Sequence, residues 1–119
     1  MNICKITKIF RIINRNNKRN IEDVREIDYE NLKELIKSDE KIKIVDIRSP
    51  QEFEEKRIKY AINIPLYDLK KRYKRLLSDK DEIIVLYCGS GIRSKKAYKI
   101  LKEEGYANIY SLKGGLDEI

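Results

Sequence analysis

The sequence predicts a single α/β domain whose mostly parallel sheet is covered by helices. Three observations carry that reading. From residue 24 onward, short β-type apolar runs alternate with segments of helical periodicity, the pattern of parallel strands joined by crossover helices. Ile83-Ile-Val-Leu-Tyr87 is apolar at every position, as a strand covered on both faces has to be. The 119 residues match one compact domain with one core.

Taken in order, Val24-Arg-Glu-Ile27 reads as a short strand. Asp28 is a plausible N-cap for a helix over Tyr29–Lys37, with Leu32, Leu35 and Ile36 on one face. Ile42-Lys-Ile-Val-Asp-Ile47 is a strand, and Ser49-Pro50 opens a helical turn. Ala61–Ile64 reads as a brief strand stopped by Pro65. Leu66–Leu77 suits one helix with Leu66, Leu69, Tyr73, Leu76 and Leu77 inward. After the strand Ile83–Tyr87, a helix is expected over Ser94–Glu104, with Ala97, Tyr98 and Leu101 inward and Gly105 at its C′ position. Asn108–Leu112 is the last strand, followed by Gly114-Gly115 and a final turn.

Charge divides the chain in two. The net charge is +7, from 27 basic and 20 acidic residues. Lys5, Lys8, Arg11, Arg15, Lys18 and Arg19 fall within residues 1–20, where no acid occurs, so residues 21–119 are close to neutral. Residues 1–20 therefore read as a basic amphipathic tail and residues 21–119 as the folded domain. Ile3, Ile6, Ile9, Phe10, Ile12 and Ile13 recur at near-helical spacing in the tail. That pattern suits packing on its own domain, or peripheral contact with an anionic membrane surface or a partner. Lys5, Lys8 and Arg11 interrupt the apolar stretch that a secretory signal requires. Nucleic-acid binding would rest on the tail alone, because the body lacks a basic excess.

Composition excludes several chemistries. His is absent and Cys occurs only at positions 4 and 88. There is thus no Cys–His or Ser–His–Asp pairing, no histidine or four-cysteine metal site, and no disulfide framework. No cofactor or metal is expected.

Chemistry concentrates in Tyr87-Cys88-Gly89-Ser90-Gly91-Ile92-Arg93-Ser94, between the most apolar strand and a helix. In open α/β sheets, sites form at the carboxyl ends of strands. Gly89 and Gly91 permit a tight loop whose successive N–H groups turn toward one point, and the following helix adds its positive end. Cys88 is placed at the rim of that anion nest, where a thiolate or persulfide is stabilised. Arg93 offers a guanidinium for an anionic substrate oxygen. Ser90 and Ser94 carry hydroxyls, and Ser94 reads as the helix cap. A lone Cys at a strand end reads as a small core residue; the glycines, the arginine and the strand-to-helix switch turn the reading toward a reactive thiol. Asp46 and Arg48, at the end of a neighbouring strand, either orient the loop or form ion pairs at the sheet edge, with Glu52 as the expected partner of Arg48.

Cys88-x-x-Gly91-x-Arg93-Ser94 resembles the active-site loop of rhodanese-type sulfurtransferases. Ile44-Val-Asp46-Ile-Arg48, Glu52-Phe53 and Ala61-Ile-Asn63-Ile-Pro65 are similar to that family's upstream signature, and Ile109–Leu112 with Gly114-Gly115 to its closing one. The resemblance spans roughly residues 24–119. It implies a small α/β domain around a five-stranded, largely parallel sheet. It also implies transfer of a sulfane sulfur through a Cys88 persulfide, from thiosulfate or a small persulfide to a thiol, cyanide or a protein acceptor. The persulfide would rest among residues 89–93: Gly89, Ser90, Gly91, Ile92 and Arg93. A non-catalytic sulfur-carrying or partner-binding module is the alternative. Four residues separate Cys88 from Arg93, whereas the related Cys-dependent phosphatases keep five and usually place His before the Cys, so a phosphatase is the weaker enzymatic reading. Lys56-Arg57 and Tyr60 stand where relatives carry Gly-His and Gly, and Ile119 where an aromatic is frequent. Cys4 reads as an incidental thiol. A working thiolate and the interrupted tail point to a reducing cytoplasm.

Overall fold

The computed structural model describes residues 24–119; the basic tail and Cys4 lie outside the described residues. The elements run β1 (Glu26–Ile27), α1 (Tyr29–Lys37), β2 (Ile42–Asp46), α2 (Pro50–Glu55), β3 (Ile62–Asn63), α3 (Leu69–Leu76), β4 (Ile83–Tyr87), α4 (Ile92–Glu103) and β5 (Ile109–Leu112). Two 3-10 turns, Leu66–Asp68 and Leu116–Glu118, complete the chain. All strand pairs are parallel, in the order β1-β5-β4-β2-β3. The five-stranded parallel sheet flanked by helices is therefore the fold. Its central strand is β4, so the residues that follow Tyr87 emerge at the middle of the sheet's carboxyl edge.

Alternation along the strands explains the layers. Ile44, Val85, Tyr87, Tyr110 and Leu112 point to one face, packed with Leu32 and Leu35 of α1 and with Ile58 and Leu116. Val45, Ile84, Leu86 and Ile109 point to the other, packed with Leu69 and Tyr73 of α3, Leu77, and Ala97, Tyr98 and Leu101 of α4. Successive strand residues face opposite ways, so a strand apolar at every position needs helices on both sides. β4 is buried along its whole length and has them.

Caps set the helix ends. Asp28 accepts the Asn31 N–H at 2.8 Å, and Ser49 forms a reciprocal capping box with Glu52. Gly105, at φ 93°, lets the Gly105 N–H bond to Lys102 O and the Tyr106 N–H to Leu101 O, a Schellman closure of α4.

Four expectations are corrected. β1 and β3 have two residues each where four were expected, because an edge strand is held from one side only. At β3 the Asn63 side-chain amide itself donates to Asp46 O and Arg48 O, at 3.0 and 2.9 Å. Leu66–Leu77 is not one helix: the Leu66 N–H bonds across to Ile47 O and the Asp68 N–H to Pro65 O, so the chain makes a 3-10 turn before α3 starts. Within it, Leu69, Tyr73 and Leu77 are buried, whereas Leu66 and Leu76 are only partly so. Finally, α4 begins at Ile92 rather than Ser94. Among the described residues no helix is long and apolar enough to cross a membrane.

Tyr60 stands out at φ 73°, in the left-handed region that disfavours any Cβ, with its side chain 69% exposed. The resemblance expects glycine here, and the backbone has kept the glycine conformation. Tyr60→Gly should stabilise the protein by up to about 1 kcal/mol, the strain removed less the entropy glycine adds to the unfolded chain. Tyr60→Ala, which keeps the Cβ, should not. Thermal unfolding of the two variants separates these outcomes.

Candidate active site

β4 delivers Cys88 at the centre of the carboxyl edge, and α4 starts four residues later. Gly91 makes the connection possible. It caps α4 at φ 103°, and open space surrounds the position a Cβ would take there. The left-handed turn brings the Gly91 N–H to 3.1 Å and the Ser94 N–H to 3.4 Å from Cys88 Sγ. The first-turn N–H groups of Ile92 and Arg93 have no carbonyl of their own helix to bond, so the positive end of α4 faces the same place. Amide hydrogens therefore converge on the sulfur. Gly89 is different: no left-handed φ is required of it, and an added Cβ would meet only ordinary contacts.

Cys88 sits on the floor of the nest rather than at its rim, with no exposed surface. The loop folds over it, and Ser94 Oγ closes one side at 3.7 Å. Ser94 is not the helix cap. It lies inside the first turn, fully buried, donating to Gly91 O at 3.1 Å and lying 2.7 Å from Ser111 Oγ. Two buried hydroxyls thus stand in series behind the sulfur. Ser111, on β5, is a site residue the sequence reading missed. Ser90 is exposed on the outside of the loop.

Arg93 does not present a free guanidinium. Its two terminal nitrogens bond the two Glu52 carboxylate oxygens at 2.8 and 3.1 Å. Arg93 holds the Glu52 carboxyl down at about 2 against an ordinary 4.5, with Ser49 adding hydrogen bonds in the same direction. Glu52 in turn raises Arg93. Folded Glu52 titrates below its unfolded value, so the pair's contribution is complete above about 4.5 and is lost as pH falls toward about 2. Glu52→Gln should therefore flatten the fall of the urea midpoint across that acid range. The wild-type and variant curves should approach each other at its lower end. Parallel curves would count against the ion pair.

Asp46 and Arg48 form the other pair, and it is buried. Arg48 Nη2 and Nε bond Asp46 Oδ2 at 2.8 and 3.2 Å, and the Arg48 N–H reaches Oδ1 at 2.8 Å. Arg48 also donates to Lys56 O and lies 5.8 Å from the Tyr87 ring. The expected Arg48–Glu52 pair is thus replaced by Arg48–Asp46, while Glu52 serves Arg93. Asp46 and Arg48 lock the end of β2 to the segment after α2, and among the described residues the hydrogen bonds of Cys88 Sγ run to Gly91 and Ser94 instead.

The chain's last turn completes the site. Leu116 N–H donates to Cys88 O and Asp117 N–H to Gly89 O, both at 2.8 Å. Gly115 lies so close that a Cβ there would stand 2.3 Å from Gly89 O and 2.6 Å from Cys88 O. Gly114-Gly115 was legible as a turn; its seat beneath the loop was not.

The comparisons with known proteins agree with this fold. Residues 28–119 match the family model described as Rhodanese-like domain. A sulfurtransferase of Allochromatium vinosum is 36% identical over 93 residues, which are 78% of this chain and 85% of that protein. The thiosulfate sulfurtransferase PspE of Escherichia coli is 36% identical over 75 residues, covering 63% of this chain and 71% of that one. Among solved structures, a rhodanese-related protein of Thermoplasma volcanium superposes with a TM-score of 0.68 at 31% identity, covering 78% of this chain and 87% of that chain. With fold, ordered motifs and family match in agreement, this chain belongs to the rhodanese-like domain family.

Proposed function

We propose that the protein transfers a sulfane sulfur from thiosulfate or a small persulfide to a thiol or cyanide through a persulfide on Cys88. The names of its relatives support rhodanese-type sulfur transfer as the class of reaction. The observation that carries the finer reading is the convergence of the Gly91 and Ser94 N–H groups on Sγ, at 3.1 and 3.4 Å. Such donors stabilise a sulfur anion more than a neutral thiol.

In the first step Cys88 Sγ, as thiolate, attacks the donor's outer sulfur. A new S–S bond forms and the donor's own breaks, its electron pair leaving on sulfite or a thiolate. The terminal sulfur then rests among the N–H groups of residues 89–93, with Ile92 and Arg93 supplying the donors not committed to Sγ. In the second step the acceptor takes that sulfur and the Cys88 thiolate returns. Arg93, held by Glu52, fixes the loop's far end. A thiol-dependent cycle of this kind suits a reducing compartment such as the cytoplasm.

Initial rates measured across a grid of donor and acceptor concentrations test the two-step scheme. Parallel double-reciprocal lines are expected, because the donor's remnant leaves before the acceptor reacts. Intersecting lines, or no turnover with either donor, would reject it.

A further inference from the structure

Charge at the mouth of the loop bears on which donor the site accepts. Gly89, Ser90, Gly91 and Ile92 carry no charge. The one cation of the loop, Arg93, has both terminal nitrogens on Glu52. A second carboxylate stands beside the same loop, next to Gly89. The position a Cβ would take on Gly89 lies 3.5 and 3.6 Å from the two Asp117 carboxylate oxygens and 3.8 Å from Arg93 Nη2. Asp117 is exposed, and no ion pair within 4.0 Å neutralises it among the described residues. Two carboxylates and one guanidinium are thus the charged groups the structure places against Gly89 and Arg93 of the loop, a formal charge of −1 beside a sulfur that must itself be an anion to react. Beside them Ile92 presents an apolar side chain, 65% exposed, which suits an organic body better than a sulfonate group.

We infer that the site takes sulfur from organic persulfides carrying at most one negative charge in preference to the thiosulfate dianion, and that Asp117 is the residue that sets this preference. The inference rests on the sulfur-transfer reading above. Thiosulfate brings a double charge past these two carboxylates and releases sulfite as a dianion. A persulfide brings a single charge and releases a thiolate that water can protonate. In both cases Sγ gains the outer sulfur, the donor S–S bond breaks, and the electron pair leaves with the inner sulfur, so no outside oxidant or reductant enters. Because Asp117 is exposed, its effect is screened by salt.

The experiment measures single-turnover loading of sulfur onto Cys88 by mass spectrometry, with thiosulfate and with the persulfide of 2-mercaptoethanol. Each rate is divided by the rate of the same donor with free cysteine. Wild type should favour the persulfide on that scale. Asp117→Asn should raise loading from thiosulfate roughly three- to tenfold at low salt, while persulfide loading rises by about the square root of that factor, no more than about threefold, as expected for a donor of half the charge. Asp117→Glu should keep the wild-type ratio, and added salt should shrink the gap in wild type more than in Asp117→Asn. An equal or greater wild-type preference for thiosulfate, or a donor ratio unmoved by Asp117→Asn, overturns the inference and leaves sulfur transfer standing. Loading from neither donor overturns both.

Discussion

Cys88→Ser is expected to abolish sulfur transfer, lowering kcat/KM by at least about a thousandfold, the size of loss seen when a covalent nucleophile is removed. The substitution changes one atom, and the amides that meet Sγ at 3.1 and 3.4 Å can meet a hydroxyl oxygen. The fold should therefore survive, with a melting temperature within a few degrees of wild type. A serine hydroxyl remains protonated at neutral pH and does not form a stable bond to a transferred sulfur. Activity lost together with the cooperative unfolding transition would mean that the thiol is a packing residue. Activity retained in a folded variant would remove Cys88 from the mechanism.

Gly115→Ala is expected to cost about 2–4 kcal/mol, by combining backbone strain with overpacking. Gly115 adopts φ 65° and ψ −165°, a conformation open essentially to glycine. The atoms its Cβ would strike, Gly89 O at 2.3 Å, Cys88 O at 2.6 Å and Gly89 C at 2.7 Å, are all backbone. None can rotate aside. Relief requires the last turn and the loop to separate, which breaks the bonds from Leu116 N–H to Cys88 O and from Asp117 N–H to Gly89 O. Transfer should fall more than about tenfold even in the folded fraction, since catalytic geometry tolerates little displacement. Gly114→Ala is the control. Its obstacle is the Glu118 side chain, whose Cγ at 2.1 Å can turn aside about χ1 while its Cβ at 3.0 Å stays in tight contact, so the cost of the φ of 74° and that one contact remain, about 1–2 kcal/mol. Equal effects of the two substitutions on stability and rate would show that the close approach at Gly115 is not what holds the loop.

The parts of this structure that were legible in the sequence are those set by local pattern. β2 and β4 pair over five residues, and both announced themselves by apolar, β-branched runs. Asp28, the Ser49-Pro50 start and Gly105 signalled helix ends through side-chain or backbone chemistry that acts within a few residues. The loop from Cys88 to Arg93 was legible because its glycines, arginine and flanking elements are contiguous.

What failed was non-local. Ser94 carries the usual mark of an N-cap, yet the left-handed turn at Gly91 lets α4 start two residues earlier and draws that serine inward against Ser111, seventeen positions away. Arg48 and Glu52 have the spacing of a helical ion pair. The capping box instead pins Glu52 toward Ser49 and turns its carboxylate to Arg93, forty-one positions on. Nothing in the spacing of Asp117 or Gly115 relates them to Cys88; only the order of strands in the sheet brings them there. Burial of the sulfur was likewise hidden, because it depends on how the loop and the last turn close over the edge of β4.

Peptide-resolved mass spectrometry of the protein after brief exposure to a sulfur donor tests the persulfide directly. One additional sulfur atom is predicted on the peptide that contains Cys88, none on the peptide that contains Cys4, and return to the starting mass when cyanide or a thiol is added. A Cys88 peptide unchanged by either donor, or a sulfur gained there that no acceptor removes, would contradict the account.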